Sequence, residues 1–367
     1  MRTFFAQLHR KAWYTAMSTK HTLGIVGFGG MGGWHQRHAM ESDVVTLAGI
    51  YDIKEERRKA AQDMGIHAYS SLEELLADEK IDIVTVATPN DCHHDIVIKA
   101  LAAGKNVISE KPVTMTSALL QDMIDASEKY GKLFSVHQNR RWDVDFLMTK
   151  RLYDSKEIGK LFNIESRIHG SRGIPGDWRN QKAHGGGMVL DWGIHLLDQA
   201  LRIGEGRKLI SVYAELTNVT NEECDDGFRV TLIFEGDLSM YVEVTTSNFI
   251  ELPRWYILGE NGSAVINDWD LNGEIVKVSD WENRDAVPIL AGVGLTKTMA
   301  PRTDDTIKHY PLPKVDSSWT QFYENVFAAL RGEEEQLITH DQQRRLLKLV
   351  DAIFESGTEN KVVFFDK

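Results

Sequence analysis

The chain has 367 residues and a mass of 41.6 kDa, which suits two domains of ordinary size rather than one. At 26% charged and 42% hydrophobic residues it has a folded globular composition, and wholesale disorder is excluded. Its 42 lysines and arginines against 54 aspartates and glutamates give a net charge of −12, a field that repels nucleic acid and acidic membrane surfaces.

Residues 1–40 contain no Asp or Glu, and the opening stretch carries Arg2, Arg10 and Lys11 among several aromatics. An organelle transit peptide has such a composition, but the simpler reading is an extension over residues 1–20, with Met17 just before the first strand. From residue 22 strands and helices alternate. Residues 23–27 form a short apolar run ending in glycine, as a buried parallel strand should. A helix through Trp34 and His38 follows, then a strand at 44–51, a solvent-facing helix at 54–64, and a capping box from Ser71 to Glu74. Strands at 81–87, 106–109 and 133–137 enclose helices at 94–103 and 116–130, which stop at Gly104 and Gly131. This grammar predicts a doubly wound parallel sheet over residues 21–140.

Residues 141–367 read differently. A helix at 144–153 leads to a strand at 161–169, a Gly- and Arg-rich loop at 170–187 and a helix at 188–203. Strands at 208–216, 228–234 and 238–245 follow, the last two joined at Gly236-Asp237; another pair at 254–258 and 264–266 flanks Asn261-Gly262. Late helices at 317–330 and 341–356 complete the chain and are free to pack back on the first domain. Strands in series predict an α+β domain with a large, mostly antiparallel open sheet. Such a sheet needs covering, so a homo-oligomer, dimer or tetramer, is expected. Cys92 and Cys224 form no CxxC, so neither a disulfide framework nor a thiolate zinc site is available. No apolar run approaches the roughly 20 residues that span a bilayer. A soluble, cytoplasmic protein is the expectation.

Gly27, Phe28, Gly29, Gly30, Met31 and Gly32 fit G-x-G-x-x-G after a strand and at the opening of a helix, with Asp52 about 20 residues on. The pattern serves a tight turn, close approach of backbone to pyrophosphate, and a helix N-terminus facing the phosphates. Asp52 can accept both ribose hydroxyls, whereas a 2′-phosphate would set like charges about 4 Å apart, at about 4 kcal/mol for an effective dielectric constant near 20. Arg57 and Arg58 lie a turn into the next helix, so NAD is expected rather than NADP. Glu110-Lys111-Pro112 ends a strand of the parallel sheet, where ligands of such sheets bind.

Thr88-Pro89-Asn90, His93, the run from Ala100 to Lys105, and Glu110-Lys111-Pro112 together resemble the Gfo/Idh/MocA family of oxidoreductases. Gly185-Gly186-Gly187, Asp191, Gly193, His195 and Asp198 resemble that family's G-G-G-x-x-x-D-x-G-x-H-x-x-D segment. The likeness extends over about residues 22–363. It implies a Rossmann domain, a substrate domain, and reversible hydride transfer between NAD(P) and a secondary alcohol of a sugar, cyclitol or related polyol. It assigns catalysis to Lys111, Asp191 and His195, and places Thr88, Asn90, His93, Glu110 and Gln138 with Lys111 around the cofactor.

At i and i+4 on one helix, Asp191 and His195 share a face, and the carboxylate can orient the imidazole that takes the alcohol proton. The glycine run ahead of them would leave room for a ligand. A lone pair of this kind is often a packing pair, or half of a zinc site completed by His184 or Asp198; no HxxE or HExxH spacing supports metal, and none is expected. Residues 172–179, with Arg172, Trp178 and Arg179, are the expected specificity loop; Arg140, Arg141, His169 and His184 are further candidates for substrate binding. Three readings follow. The first is an NAD-dependent sugar or cyclitol dehydrogenase. A second oxidises C3 of a bound glycoside and recycles the nicotinamide internally, which the tryptophans at 142, 178 and 192 would suit. The third is a non-catalytic NAD-linked sensor.

Overall fold

The computed structural model describes residues 20–283 and 286–366, so the expected N-terminal extension lies, but for Lys20, outside the described residues. Elements run β1 (His21–Val26), α1 (Gly30–Glu41), β2 (Val45–Tyr51), α2 (Glu55–Asp63), α3 (Leu72–Ala77), β3 (Ile83–Val86), α4 (His93–Ala102), β4 (Asn106–Ser109), α5 (Ser117–Tyr130) and β5 (Phe134–Val136). They continue with α6 (Val144–Ser155), β6 (Leu161–His169), α7 (Ile194–Ile203), β7 (Leu209–Thr217), β8 (Gly227–Phe234), β9 (Leu238–Thr245), β10 (Trp255–Gly259), β11 (Gly262–Ile266) and β12 (Gly273–Val278). Last come β13 (Ile289–Ala291), β14 (Gly294–Thr296), β15 (Ile307–Tyr310), α8 (Thr320–Leu330), α9 (His340–Glu359) and β16 (Val363–Phe364). Two compact units result: residues 20–139, 183–185 and 318–347 in one, and 140–182, 186–317 and 348–366 in the other.

The first unit holds a parallel sheet of order β2-β1-β3-β4-β5. Its central strands are largely buried, and every residue of Ile83–Val86 is so, the pattern of a sheet covered on both faces. Beyond β2 a further edge strand is reduced to a single bridge, Ile50 to Ala68, with Ile50 N–H donating to His67 at 2.9 Å. Ser71 caps α3 by accepting from Glu74 N–H at 3.0 Å, but Glu74 returns its carboxylate to Ser70 rather than to Ser71. Strand order reverses between β1 and β3, which brings the loops after these two strands together.

In the second unit nine strands form a sheet of order β15-β12-β11-β10-β6-β9-β8-β7-β16, antiparallel except for the β6–β9 pair. Alternation gives it a buried face. Ile257, Ile164, Met240, Leu232 and Val212 stand in one cross-strand row, all buried. The opposite face carries Tyr256, Glu165, Tyr241, Thr231 and Tyr213 in the matching row. α6 packs on β10, where Trp255 Nε1 donates to the buried Asp145 at 2.8 Å, and α7 packs on β9. The hairpin expected at Asn261-Gly262 turns at Glu260-Asn261 instead, because Gly262 is already paired with Gly259.

Candidate active site

The turn after β1 is built for a close approach. Gly27 has φ +94°, and a Cβ there would lie 2.4 Å from the Ala87 carbonyl oxygen; one on Gly32 would lie 1.9 Å from the Gly27 carbonyl. Around Gly30 there is open space instead, at the N-terminus of the twelve-residue α1. This cradle fits the pyrophosphate of a dinucleotide. Asp52 closes it from the side. It is 3% exposed, accepting from Phe28 N–H at 2.7 Å and Lys54 N–H at 2.9 Å. Arg57 does not stay a turn away. Its guanidinium reaches back to pair with Asp52 at 3.1 Å and stands 3.5 Å from where a Gly29 Cβ would be. Arg58 donates to the Asp52 carbonyl at 2.6 Å.

At the end of β4, Glu110 turns inward and is 4% exposed. Its Oε1 accepts from His35 Nε2 and His137 Nδ1, both at 2.8 Å, and its Oε2 from the Lys111 backbone N–H at 3.1 Å. Burial pushes the Glu110 carboxyl up, but the imidazoles, His137 foremost, outweigh it and hold the group well below the usual range. His35 is lowered by its burial, so a neutral ring donates from Nε2 and accepts the Tyr323 hydroxyl at Nδ1. The ligand atoms of His35, Glu110 and His137 lie within 4.8 Å of one another, but the 2.8 Å spacings are those of hydrogen bonds. Glu110 therefore fixes the backbone from which Lys111 projects. His93 is likewise a strut: its ring nitrogens sit 2.9 Å from the Pro112 and Thr88 carbonyl oxygens, which ties the loops after β3 and β4 together. Asn90 is 3% exposed and donates to the Gly185 carbonyl at 2.8 Å. Gln138 is buried against Gln343, with its carbonyl oxygen unpaired, and Thr88 remains half-buried at the end of its loop.

In the second unit the residues carrying Asp191 form a π turn, Val189–Gly193, before α7 begins. Such a wide turn shifts the Asp191–His195 offset away from the α-helical geometry assumed from the spacing. Asp225, which the sequence analysis missed, anchors this turn. Its Oδ2 accepts from Val189 N–H at 2.7 Å, its carbonyl accepts from Met188 N–H at 2.9 Å, and a Cβ on Gly187 would lie 2.2 Å from its Oδ1. On Gly186 a Cβ would meet the Arg179 carbonyl at 2.3 Å. These two glycines make room for protein rather than for a ligand. Burial pushes Asp225 up to about 7.

A cavity of about 600 Å³ opens in this unit. Its wall brings together Asp191, Arg172, Arg179 and His169, with Arg140 and the rings of Trp192 and Trp269. Arg140 stacks on Trp192 at 4.3 Å and pairs with Asp143 at 2.8 Å. Burial lowers His169, which sits 3.8 Å from Glu243. Other candidates lie elsewhere. His195 is buried and stacks edge-on to Trp192. Trp178 lies against Arg179 at 4.6 Å. Arg141 is buried in a two-pronged ion pair with Asp198, at 2.7 and 2.6 Å, which makes it a structural residue and removes Asp198 from any zinc set. His184 belongs to the first unit, 2.8 Å from Asp91.

A fold of this kind, with a glycine cradle at the strand-order reversal and a lysine ending the next strand but one, defines a nucleotide-dependent oxidoreductase. Residues 21–138 match the model of the oxidoreductase family with NAD-binding Rossmann fold, and residues 146–265 match the GFO/IDH/MocA C-terminal domain. An uncharacterized oxidoreductase of Schizosaccharomyces pombe is 30% identical over 81% of this chain and 85% of its own length. The scyllo-inositol 2-dehydrogenase (NADP(+)) of Bacillus subtilis is 25% identical over 80% of this chain and 82% of its own. The crystal structure of an NAD-binding protein from Listeria innocua superposes with a TM-score of 0.90 at 47% identity, over 94% of this chain and 99% of that one. The chain belongs to the Gfo/Idh/MocA family, and it is an NAD(P)-dependent dehydrogenase.

Proposed function

We propose that the chain oxidises a secondary hydroxyl of a sugar, glycoside or inositol-type polyol, with NAD as the hydride acceptor. The observation that carries this reading is the cavity of the second unit, whose wall combines Asp191 with hydrogen-bonding arginines and the flat faces of Trp192 and Trp269. Indole rings cover the apolar face of a sugar while arginines and a carboxylate engage its hydroxyls. Likeness to a scyllo-inositol 2-dehydrogenase supports the same substrate class. His195 takes the proton of the reacting hydroxyl, Asp191 orients the ring and steadies its cation, and the Lys111 ammonium stabilises the developing alkoxide. Bound in the glycine cradle, the nicotinamide dinucleotide supplies the hydride acceptor. Asp52 favours NAD, because its carboxylate opposes a 2′-phosphate even with Arg57 beside it.

A glycoside is the second substrate reading, favoured by the tryptophan-lined extent of the cavity; C3 oxidation with internal recycling of the nicotinamide would then replace release. The test is steady-state reduction of NAD⁺ by the purified protein across inositols, free sugars and glycosides. Turnover with one class supports the dehydrogenase. Tightly bound nicotinamide without net reduction supports recycling, and neither signal leaves the non-catalytic sensor.

The outer sheet face, with Tyr256, Tyr241 and Tyr213 among polar partners, is proposed to pair with a second copy. Light scattering that returns a monomer contradicts this. Cys92 and Cys224 are both unpaired thiols, which supports a cytoplasmic setting. Among the described residues no helix is long and apolar enough to cross a membrane.

A further inference from the structure

The wall of the cavity in the second unit carries more arginines than carboxylates, unlike the chain as a whole. Its ionised wall residues are Arg140, Arg172, Arg179 and Asp191, three positive against one negative with His169 neutral, in a protein whose net charge is −12. Two of the arginines are already neutralised: Arg140 by Asp143 at 2.8 Å, and Arg179 by Asp177 at 2.8 Å with Asp191 at 3.7 Å. Arg172 is different. It is exposed at the cavity, and among the described residues no carboxylate stands within 4.0 Å of it.

Nor does it hang from a loose loop. On either side the backbone is pinned to the strand end of β9, with Gly170 N–H donating to Thr245 at 2.7 Å and Gly173 N–H to Thr246 at 3.0 Å. Asn248 N–H donates back to the Gly170 carbonyl at 2.9 Å. Gly173 holds φ +72°, and a Cβ there would press on Thr220 at 3.0 Å, so the turn that presents Arg172 is fixed from both sides. An arginine whose backbone is held this way can offer its guanidinium to a planar or tetrahedral oxyanion in bidentate fashion.

We infer that the substrate is an anionic polyol, a sugar acid or a sugar phosphate, whose charged group is seated on Arg172. This rests on the polyol-oxidation reading above and narrows it. Neutral sugars leave the Arg172 charge uncompensated in the cavity, whereas a carboxylate or phosphate completes it.

The test uses the full-length protein with NAD⁺ and matched sets of compounds: a hexose and an inositol, the hexuronate and aldonate, and the hexose phosphate. The expected result is a kcat/KM at least tenfold higher for one anionic member than for its neutral counterpart. Arg172→Gln should raise KM for that member at least tenfold more than for the neutral one, with kcat little changed, and Arg172→Lys should recover part of the loss. Preference for the carboxylates or for the phosphate identifies the anion. Equal or better turnover of the neutral compounds, or an equal loss on both by the variant, overturns the inference while leaving the dehydrogenase reading intact. Calorimetric titration of the same compounds separates the two claims. Anion binding that is lost in Arg172→Gln without any NAD⁺ reduction keeps the anion site and removes polyol oxidation; no anion binding and no turnover removes both.

Discussion

Asp52 sits where two opposite preferences meet. Its carboxylate is locked to the glycine turn through Phe28 N–H, and Arg57 and Arg58 fold back over the same corner. On the NAD reading proposed above the carboxylate opposes a 2′-phosphate, whereas the arginines would welcome one. Removing only the carboxylate, as in Asp52→Ser, should therefore move kcat/KM from NAD towards NADP by as much as about three decades, the worth of about 4 kcal/mol of like-charge repulsion. An unchanged preference would mean that Asp52 serves the turn alone. At Lys111 the expectation is sharper, because the Glu110 network fixes its backbone independently of its ammonium. Lys111→Ala should lower kcat by about two to three decades while largely sparing NAD binding by fluorescence titration. Wild-type turnover would sink the assigned role.

At the scale of elements, the π turn ahead of α7 depends on Asp225, and that dependence carries a pH signature. The folded pKa is raised to about 7 from an ordinary value of 3.8. Its contribution is thus full below the ordinary carboxylate range and is lost as pH rises through about 7. Asn at this position keeps an acceptor for Val189 and never ionises, so Asp225→Asn should gain in Tm relative to the parent as pH rises from about 4 to about 7. A difference independent of pH would show that burial does not hold the proton. Arg141 and Asp198 form the other junction of this region, joining α7 to the segment before α6. Breaking that buried pair with Asp198→Asn should cost about 3–5 kcal/mol of stability, read as a fall in Tm, whereas replacing both residues by apolar ones should restore much of it. In sequence, Arg141 stood open between a substrate contact and a structural role, because a charge can be read from one residue while its burial against Asp198 cannot. Asp225 was invisible for the same reason. Its partner atoms are backbone N–H groups 36 and 37 residues earlier, brought near only by β8 and the turn together.

Over the whole molecule, what was legible follows from how local each signal is. The apolar runs of β1, β3 and β4, and Gly104 and Gly131 behind α4 and α5, declare the parallel sheet within a few residues each. The open sheet was legible only where strands alternate, as in β7 to β9. Its edge strand β15 carries no such pattern, being exposed or half-exposed throughout, and β13, in a separate two-stranded sheet with β14, is exposed at every residue. Residues 318–347 belong to the first unit although they follow the second in sequence, a return that the sequence allowed for the late helices without fixing its extent. Site residues followed the same rule. The glycine turn and the Arg172–Arg179 loop stand out by composition and order, while the inward Glu110 and the strut Asn90 depend on partners 75 and 95 residues away.

The account stands most directly on hydride transfer, and the measurement that tests it is the absorbance of reduced nicotinamide when the purified protein meets NAD⁺ and the polyol panel. It predicts that reduced nicotinamide accumulates with at least one member, and that His195→Asn or Lys111→Ala removes the signal while NAD still binds. No reduction with any member, together with no nicotinamide retained by the protein, would contradict it.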